Sequence, residues 1–204
     1  MSEVSPVLVR ELRDRSGAGI IDCKRALSEA NGDVDGALVA LRKKGLAAAA
    51  KKVGRLAGEG LIGSYIHAGG KIGVLIEVNC ETDFVARTDA FQSLVKDLAM
   101  QIAAASPHFV RREDVPAAVI EGERVIYREQ AASSGKPAAV VEKIVDGKME
   151  KFFGDTCLLE QAFVKEPDRT IGQLVTDAVA RLGENVVVRR FARFQLGEQS
   201  AGDR

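Results

Sequence analysis

The segment "NCETDFVAR", residues 79–87, places a carboxylate and a large aromatic ring side by side where a strand-like run should end. A carboxylate competes for the ligands of a cation or repels a phosphate, and a neighbouring ring fills an apolar pocket. Asp83 and Phe84 are therefore suited to disturb a site on another protein. The alternative is that Thr82 or Asp83 caps a turn and that Phe84 is a core residue, because phenylalanine is usually buried.

Histidine and cysteine are scarce in the chain. The histidines are His67 and His108, and the cysteines are Cys23, Cys80 and Cys157. No group of His, Cys, Asp and Glu has the spacing of metal ligands, so we predict no metal site. Three cysteines without a C-x-x-C pair indicate reduced, buried thiols rather than a disulfide framework. A lone histidine such as His67 is more typical of a turn-flanking surface position than of catalysis.

The sequence lacks the common motifs of enzymes that act on small molecules. It contains no P-loop, no dinucleotide-binding glycine fingerprint, no H-E-x-x-H and no G-x-S-x-G. An acid/base or nucleophile constellation is not visible either. We therefore predict no catalytic residue and no cofactor, and these observations favour a protein-binding role.

Composition predicts a globular protein without a dominant charge. The 204 residues are 46% hydrophobic and 28% charged, and 29 basic residues balance 29 acidic ones. A nucleic-acid-binding protein usually has a basic excess, so this balance argues against RNA or DNA as the main partner. No apolar run approaches membrane-spanning length and the N-terminus lacks an apolar signal core, so we expect a cytoplasmic protein without a membrane partner.

The first 54 residues are typical of a small helical module. Three short helices are predicted, which end at Gly17, Asn31-Gly32 and Gly45. Their apolar faces are expected to contain Val7, Leu8, Leu12, Ile20, Cys23, Leu27, Leu38 and Leu41. The alanine-rich segment that follows predicts a fourth helix or a helical linker that frays at Gly54 and Gly58.

The remaining sequence predicts an antiparallel sheet with packed helices. Two strand-like runs, Leu61–His67 and Lys71–Cys80, flank the hairpin signal "AGG". Four helical segments follow: one over 87–106, one over 115–133 that Gly122 weakens, one over 136–154 with Pro137 in its first turn, and one that Thr170 caps and Gly183 ends. The helix predicted over 136–154 is expected to turn its apolar side chains inward: Val140, Val141, Ile144, Val145, Met149 and Phe152. The segment "ENVVVRRFARFQL" predicts a last strand, so the expected fold class is α+β. We expect domains at 1–54 and 55–197 and a disordered tail at 198–204.

Four segments together resemble the bacterial translation elongation factor Ts family: "LRDRSGAGIIDCKRAL", "NCETDFVAR", "GKP…VEKIVDGKMEKF" and "GENVVVRRF". The resemblance runs from about residue 5 to residue 197. It implies an N-terminal UBA-like three-helix module and an α+β core. It also implies that the protein promotes GDP release from the GTPase elongation factor Tu.

The resemblance assigns roles to particular residues. The Asp-Phe pair of the family enters the GTPase domain near its magnesium site, which here implies Asp83 and Phe84 within Thr82–Val85. The histidine of "GSYIHAGGKIGVLI", His67, is implied to help flip the phosphate-binding loop. Family contacts that grip the GTPase map onto Arg13, Ile20, Ile21 and Lys24, with Lys52 as a weaker candidate.

Other interpretations of these gripping residues remain open. Arg13 and Lys24 are equally consistent with solvated charges, and Ile20 and Ile21 with core packing. Adjacent helical residues cannot both point fully inward, however, so at least one isoleucine is expected at an interface. A UBA-type protein-binding scaffold without exchange activity is the competing functional hypothesis.

The resemblance also predicts a homodimer. Longer members of the family carry the histidine hairpin and the Asp-Phe hairpin on two internal repeats, whereas this chain has a single hairpin with both features. A two-fold dimer supplies the pair from one subunit and the histidine from the other. The C-terminal strand "VVVRRFARF" is a candidate to extend the sheet across the two-fold axis.

Overall fold

The computed structural model describes residues 4–133 and 137–198. Residues 199–204 of the predicted tail lie outside the described residues. The described elements are α1 (Pro6–Ser16), α2 (Ile20–Glu29), α3 (Val34–Ala50), β1 (Glu59–Ile66), β2 (Ile72–Cys80), α4 (Asp83–Ala86), α5 (Asp89–Ala105), α6 (Ala117–Ala132), α7 (Ala138–Thr156), β3 (Ala162–Phe163), β4 (Glu166–Thr170), α8 (Ile171–Leu182) and β5 (Val187–Gln195). The predicted α+β class is confirmed.

The described chain divides into two compact units. The first contains the residues through Gly60, Asn79–Gln92 and Val175–Val187, so it draws on three separate stretches of sequence. The second contains Leu61–Val78, Ser93–Leu174 and the described residues from Val188 onward. The boundary at residue 54 stays a prediction.

Local sequence signals determine both ends of α1. The Ser5 hydroxyl accepts a hydrogen bond from the Val7 amide at 3.3 Å, and Pro6 occupies the first turn. The helix ends at Gly17, whose φ of +66° is the left-handed conformation that glycine adopts at little cost. The Gly17 amide donates to the Arg13 carbonyl at 2.8 Å and so satisfies one of the last free carbonyls of the helix.

The three N-terminal helices share a small apolar core. Its buried members are Val9, Leu12, Cys23, Ala26, Leu27 and Ala37, with Leu8, Leu38 and Leu41 packed against them. The predicted inward positions of Val7 and Ile20 are wrong, because these side chains are 73% and 50% exposed. Val7 lies about 200° around the helix axis from the buried Val9. Ile20 stands at the first position of α2, where it lines a groove instead of the core.

Helix α3 continues through Gly45, so the predicted stop there is wrong. The glycine is helical, and a Cβ added to it would lie 3.1 Å from the Cβ of Ala180 in α8. Gly45 thus permits close packing between helices rather than ending one. The alanine run after it has high helix propensity and extends α3 to Ala50, so no separate fourth helix forms.

Strands β1, β2 and β5 form an antiparallel sheet in that order. Gly69 and Gly70 adopt φ of +91° and +69° in the turn between β1 and β2, as the glycine pair predicts. The C-terminal end of β5 lies beside the start of β2, since the Leu196 amide donates to the Lys71 carbonyl at 2.8 Å. The predicted C-terminal strand is confirmed.

The two faces of this sheet differ in burial. Val74, Ile76 and Val78 of β2 are buried, whereas Leu75 between them is 49% exposed. The exposed face also carries the large apolar side chains Ile62, Ile66 and Phe194. This alternation follows from the two-residue period of a strand with one covered face.

Helices α6 and α7 form a hairpin with its own small core. Val141, Val145 and Met149 of α7 are buried together with Ala131, and Ile144 and Phe152 are partly buried. The predicted inward position of Val140 is wrong, because its side chain is 41% exposed. Val140 directly precedes Val141, and only one of two adjacent helical positions can face the core fully.

The sequence did not predict the short β3–β4 hairpin, in which Ala162 pairs with Thr170. Its second strand, "EPDRT", contains proline and shows no apolar alternation. The hairpin is tied to α5 by the fully buried Gln101, whose amide nitrogen donates to Gln161 and to the Ala162 carbonyl, each at 3.2 Å. The Gln101 oxygen accepts from the Val164 amide at 2.9 Å, so the buried amide is well satisfied.

Candidate functional site

The turn that follows β2 presents Phe84 to solvent. Thr82 is the N-cap of the four-residue helix α4, and its hydroxyl accepts from the Val85 amide at 3.4 Å. Within this single turn, Ala86 points inward at 7% exposure, whereas Phe84 is 78% exposed. The structure therefore excludes the interpretation of Phe84 as a core residue of its own chain.

Asp83 lies beside Phe84 and forms a surface ion pair. Its carboxylate accepts from the Arg87 guanidinium at 2.7 Å, one helical turn further along. The side chains are 46% and 76% exposed for Asp83 and Arg87. Exposed pairs of this kind contribute little stability, so the bond between Asp83 and Arg87 is easily broken.

A carboxylate from a distant part of the sequence holds the start of the turn. Glu184 accepts hydrogen bonds from the Glu81 amide at 3.1 Å, the Thr82 amide at 3.0 Å and the Thr82 hydroxyl at 2.6 Å. These contacts join residues more than a hundred positions apart in the chain. Hydrogen bonds to an ionised acceptor are stronger than neutral ones, so the turn is anchored at two successive residues.

In a second set of hydrogen bonds, the segment of Glu81 supplies the acceptor and the segment of Asn185 supplies the donor. The Glu81 carboxylate accepts from the Asn185 amide at 2.7 Å and lies 3.7 Å from the Arg55 guanidinium. The Asn185 side chain, which is 6% exposed, donates to the Arg55 carbonyl at 2.8 Å. Glu184 therefore binds two backbone amides in the segment of Glu81, and Glu81 binds one in the segment of Glu184. We call residues 81–82 and 184–185 with these bonds the double brace.

The thiol of Cys80 adds a further bond beneath the turn. It donates to the Thr82 carbonyl at 3.1 Å. Burial raises the pKa of the Cys80 thiol, and the negative charge of Glu184 raises it further. Cys80 therefore remains a protonated donor at neutral pH.

His67 stands in the hairpin loop before β2, whereas Asp83 and Phe84 follow that strand. The His67 side chain is exposed, and its Nδ1 lies 3.2 Å from the Tyr65 hydroxyl. If the hydroxyl donates to Nδ1, the ring proton is on Nε2, and His67 offers an N–H donor from that nitrogen. His67 belongs to the second unit and Thr82–Val85 to the first.

Four of the five predicted gripping residues line one open groove. Arg13, Ile20, Ile21 and Lys24 surround a cavity of about 920 Å³ between α1 and α2. Ile20 and Ile21 are 50% and 80% exposed, so neither is a core residue. The lining combines apolar side chains with cationic ones, which also include Arg10 and Arg25.

Lys52 does not line this groove. Its Nζ lies 3.7 Å from the position that a Cβ of Gly183 would occupy, just after the last residue of α8. A cation near the C-terminus of a helix interacts favourably with the helix dipole. Lys52 therefore lies near the C-terminal end of α8 rather than at the groove.

The described residues contain neither a cluster of metal-binding side chains nor a membrane-spanning helix. Within 4–133 and 137–198, His, Cys, Asp and Glu side chains form no group of three or more that could hold a metal ion. None of the helices described in these ranges is both long and apolar enough to cross a membrane.

The sequence analysis assigned no role to Glu184 and Asn185. The signal was present in "GENVVVRRF", where a helix stop and two polar residues precede the last strand. If that strand pairs antiparallel with β2, its beginning must lie beside the end of β2, which places residues 184–185 next to 81–82. The pairing of the strands must be known before residues 184–185 can be placed beside 81–82.

An exposed aromatic side chain on an anchored turn and an apolar groove with a cationic rim are features of surfaces that bind other proteins. Known proteins of one family are similar to this chain. The family described as "Elongation factor TS" matches residues 42–198. Elongation factor Ts of Carboxydothermus hydrogenoformans is 62% identical over 195 residues, which cover 96% of this chain and 90% of the relative.

Two further relatives carry the same description. Elongation factor Ts of Geobacter sulfurreducens is 60% identical and covers 96% of this chain, with 90% of the relative covered. That of Thermoanaerobacter sp. is 58% identical, and the alignment covers 96% of each chain. The chain belongs to the elongation factor Ts family, which makes it a translation elongation factor.

Proposed function

We propose that this chain is a guanine nucleotide exchange factor that promotes GDP release from elongation factor Tu. The observation that carries the proposal is the exposed Phe84 beside Asp83 on a turn that the double brace holds in place. The factor lowers the barrier to GDP release by stabilising the nucleotide-free GTPase. It is not an enzyme in the strict sense, since no covalent bond changes. By linkage, GDP weakens the binding of the factor as much as the factor weakens the binding of GDP.

Phe84 supplies part of the free energy for this step. Burial of a phenylalanine side chain contributes about 1.5–3 kcal/mol, and the ring is nearly fully available for burial in a partner. An acceleration of about 10⁴-fold requires about 5.5 kcal/mol off the barrier. Phe84 alone is therefore insufficient, and neighbouring contacts must contribute as well.

Asp83 supplies a charge at the same place. The magnesium ion of a GTPase bridges phosphate oxygens and is held by a small set of oxygen ligands. A carboxylate inserted near that ion competes for its ligands and repels the phosphates. Thr82 and Val85 complete the inserted segment, since Thr82 caps α4 and Val85 is the partly exposed third residue of that helix.

His67 is the second contact with the nucleotide site in this proposal. Its exposed ring supplies an N–H donor to the phosphate-binding loop of the GTPase, which favours a conformation with a carbonyl facing the phosphate. That conformation disfavours the bound anion. The Tyr65 hydroxyl supports this role, because it lies within hydrogen-bond distance of the other ring nitrogen.

The α1–α2 groove contributes affinity rather than acceleration. Its exposed isoleucines, Ile20 and Ile21, are suited to the apolar face of a partner helix, and Arg13 and Lys24 to acidic side chains at its rim. Lys52 is the weakest member of this set, since it lies beside Gly183 instead of in the groove.

The chain acts as a homodimer in this proposal, with one subunit providing Asp83 and Phe84 and its mate providing His67. The apolar side chains on the open face of the sheet, Ile62, Ile66, Leu75 and Phe194, support a dimer interface there. We propose the cytoplasm as its location, with elongation factor Tu as partner and without direct contact to nucleic acid or membrane.

Stopped-flow release of a fluorescent GDP from elongation factor Tu tests the proposal. We expect Phe84→Ala to lower the maximal release rate by about 30-fold or more, because about 2 kcal/mol or more of barrier stabilisation is lost. Leu56→Ala is the matched control, since Leu56 is 89% exposed and lies outside the turn and the groove. Binding without acceleration by the unmodified chain would instead favour a UBA-type scaffold.

A further inference from the structure

The Glu184 carboxylate satisfies backbone amides that strand pairing leaves free. Strand β2 ends at Cys80, and the next two amides, of Glu81 and Thr82, both donate to one oxygen of Glu184. The other oxygen accepts from the Thr82 hydroxyl at 2.6 Å. A single side chain therefore fixes two successive peptide units and one side chain.

These bonds also set the orientation of the N-cap. The Thr82 hydroxyl hydrogen is donated to Glu184, which leaves the lone pairs of that oxygen to accept from the Val85 amide. Helix α4 has only four residues, and a helix of that length is not stable by itself. The conformation of the turn consequently depends on its anchors rather than on helix propensity.

The ring of Phe84 cannot anchor the turn. At 78% exposure it makes few contacts within its own chain, so its direction is set by the backbone that carries it. The Glu184 carboxylate accepts charge-assisted hydrogen bonds from the backbone amides of both Glu81 and Thr82. These bonds therefore hold the backbone that carries Phe84.

We propose that Glu184 is a positioning residue for nucleotide exchange, which holds Phe84 in the orientation that enters the partner. The inference rests on the proposed exchange function. A side chain that is already ordered costs no entropy when it enters the partner. Preorganisation of Phe84 therefore raises the maximal rate of GDP release. The affinity for the partner is supplied mainly by the α1–α2 groove, so it depends little on Glu184.

Glu184→Gln tests the inference with little change in size. The amide retains one acceptor oxygen but turns an NH₂ group toward donors, so at least one of the three bonds is lost. We expect the maximal rate of GDP release at saturating factor to fall about 10-fold or more. The concentration that gives half of the maximal rate is expected to change less than about 3-fold.

Three controls separate positioning from loss of structure. Glu142→Gln makes the same chemical change at an exposed ion pair on α7 and is expected to behave as the unmodified chain. Hydrogen–deuterium exchange of residues 80–87 is expected to become faster in Glu184→Gln, while exchange in α7 is unchanged. Glu184→Asp keeps both oxygens on a shorter side chain and is expected to recover part of the rate.

The outcomes distinguish this inference from the proposed function. If the unmodified chain accelerates GDP release and Glu184→Gln reaches the same maximal rate, the positioning role is wrong and the exchange function stands. If circular dichroism shows that Glu184→Gln is unfolded, the maximal rate and the half-saturating concentration are measured for Glu184→Asp instead, and the same criteria apply. A 3-fold or larger increase in the half-saturating concentration at an unchanged maximal rate also contradicts the inference. An unmodified chain that accelerates nothing overturns both.

Discussion

At the scale of residues, the side chains that carry the proposed function are those that contribute little to the stability of the free chain. Phe84 is largely exposed, and the ion pair of Asp83 with Arg87 lies on the surface. The residues that hold them, Glu184 and Asn185, are partly or fully buried instead. Substitutions of Asp83 and Phe84 should therefore lower activity with little change in stability.

Tyr65 provides a prediction at this scale. Tyr65→Phe removes the hydroxyl that lies 3.2 Å from His67 Nδ1 and leaves the ring in place. A hydrogen bond of this type contributes about 0.5–1.5 kcal/mol, so we expect the maximal exchange rate to fall roughly 2- to 12-fold.

A double-mutant cycle with His67→Ala checks this prediction. If Tyr65 acts through His67, the double variant is no slower than His67→Ala alone, and the coupling free energy equals the effect of Tyr65→Phe. Additive effects would contradict it and would indicate a separate role for the tyrosine hydroxyl.

The sequence identified Asp83 and Phe84 by their types and spacing, yet it left the exposure of Phe84 undecided. Whether an aromatic side chain is buried depends on the surfaces that tertiary structure brings beside it. Glu184 could not be found in the same way, because its partners Glu81 and Thr82 are more than a hundred residues away in the sequence.

At the scale of elements, apolar periodicity predicted the helices and strands well, and glycine was the main source of error. Gly17 and Gly183 end helices with positive φ, as expected. Gly45 does not, because it lies at a close contact with Ala180 within a continuing helix. The sequence cannot distinguish a glycine that ends a helix from one that permits close packing without knowledge of the neighbouring element.

Gly63 in β1 provides a prediction at this scale. A Cβ added there would overlap the side chain of Val95 in α5, and Ile76 of β2 lies 3.5 Å away. We expect Gly63→Ala to lower the free energy of unfolding by about 1–3 kcal/mol, as overpacking of a core does. Urea unfolding followed by circular dichroism measures the change.

Gly122→Ala is the matched control for Gly63→Ala. Gly122 lies within α6, and an added Cβ would meet nothing within 4 Å. We expect this substitution to raise the free energy of unfolding by up to about 1 kcal/mol, because alanine favours the helix. If Gly63→Ala is as stable as the unmodified chain, the prediction is wrong. The contact between β1 and α5 then adapts to an added methyl group more easily than the packing indicates.

At the scale of the whole molecule, the open face of the sheet is a feature that a single chain leaves unexplained. Ile62, Ile66, Leu75 and Phe194 are all at least 49% exposed on the β1–β2–β5 sheet. A second copy of the chain would cover them, and the proposed sharing of the exchange site between subunits requires such a copy.

Leu75→Glu tests the dimer, because Leu75 lies on the central strand of this face. Burial of an unpaired carboxylate in an apolar interface costs several kcal/mol, so we expect the variant to be a monomer at concentrations where the unmodified chain is a dimer. Analytical ultracentrifugation measures the mass, and Leu56→Glu is the control at an exposed position off the sheet. A monomeric unmodified chain with full exchange activity would contradict the shared site.

The double brace has a consequence for synthesis of the protein on the ribosome. The N-terminal helices can pack as soon as they emerge, because their core lies within the first 41 residues. The turn with Phe84 emerges next, but the glutamate that anchors it is made only when nine-tenths of the chain has been translated. A product that terminates early therefore carries the groove without an ordered tip, and under the proposed function it would compete for elongation factor Tu as a passive inhibitor.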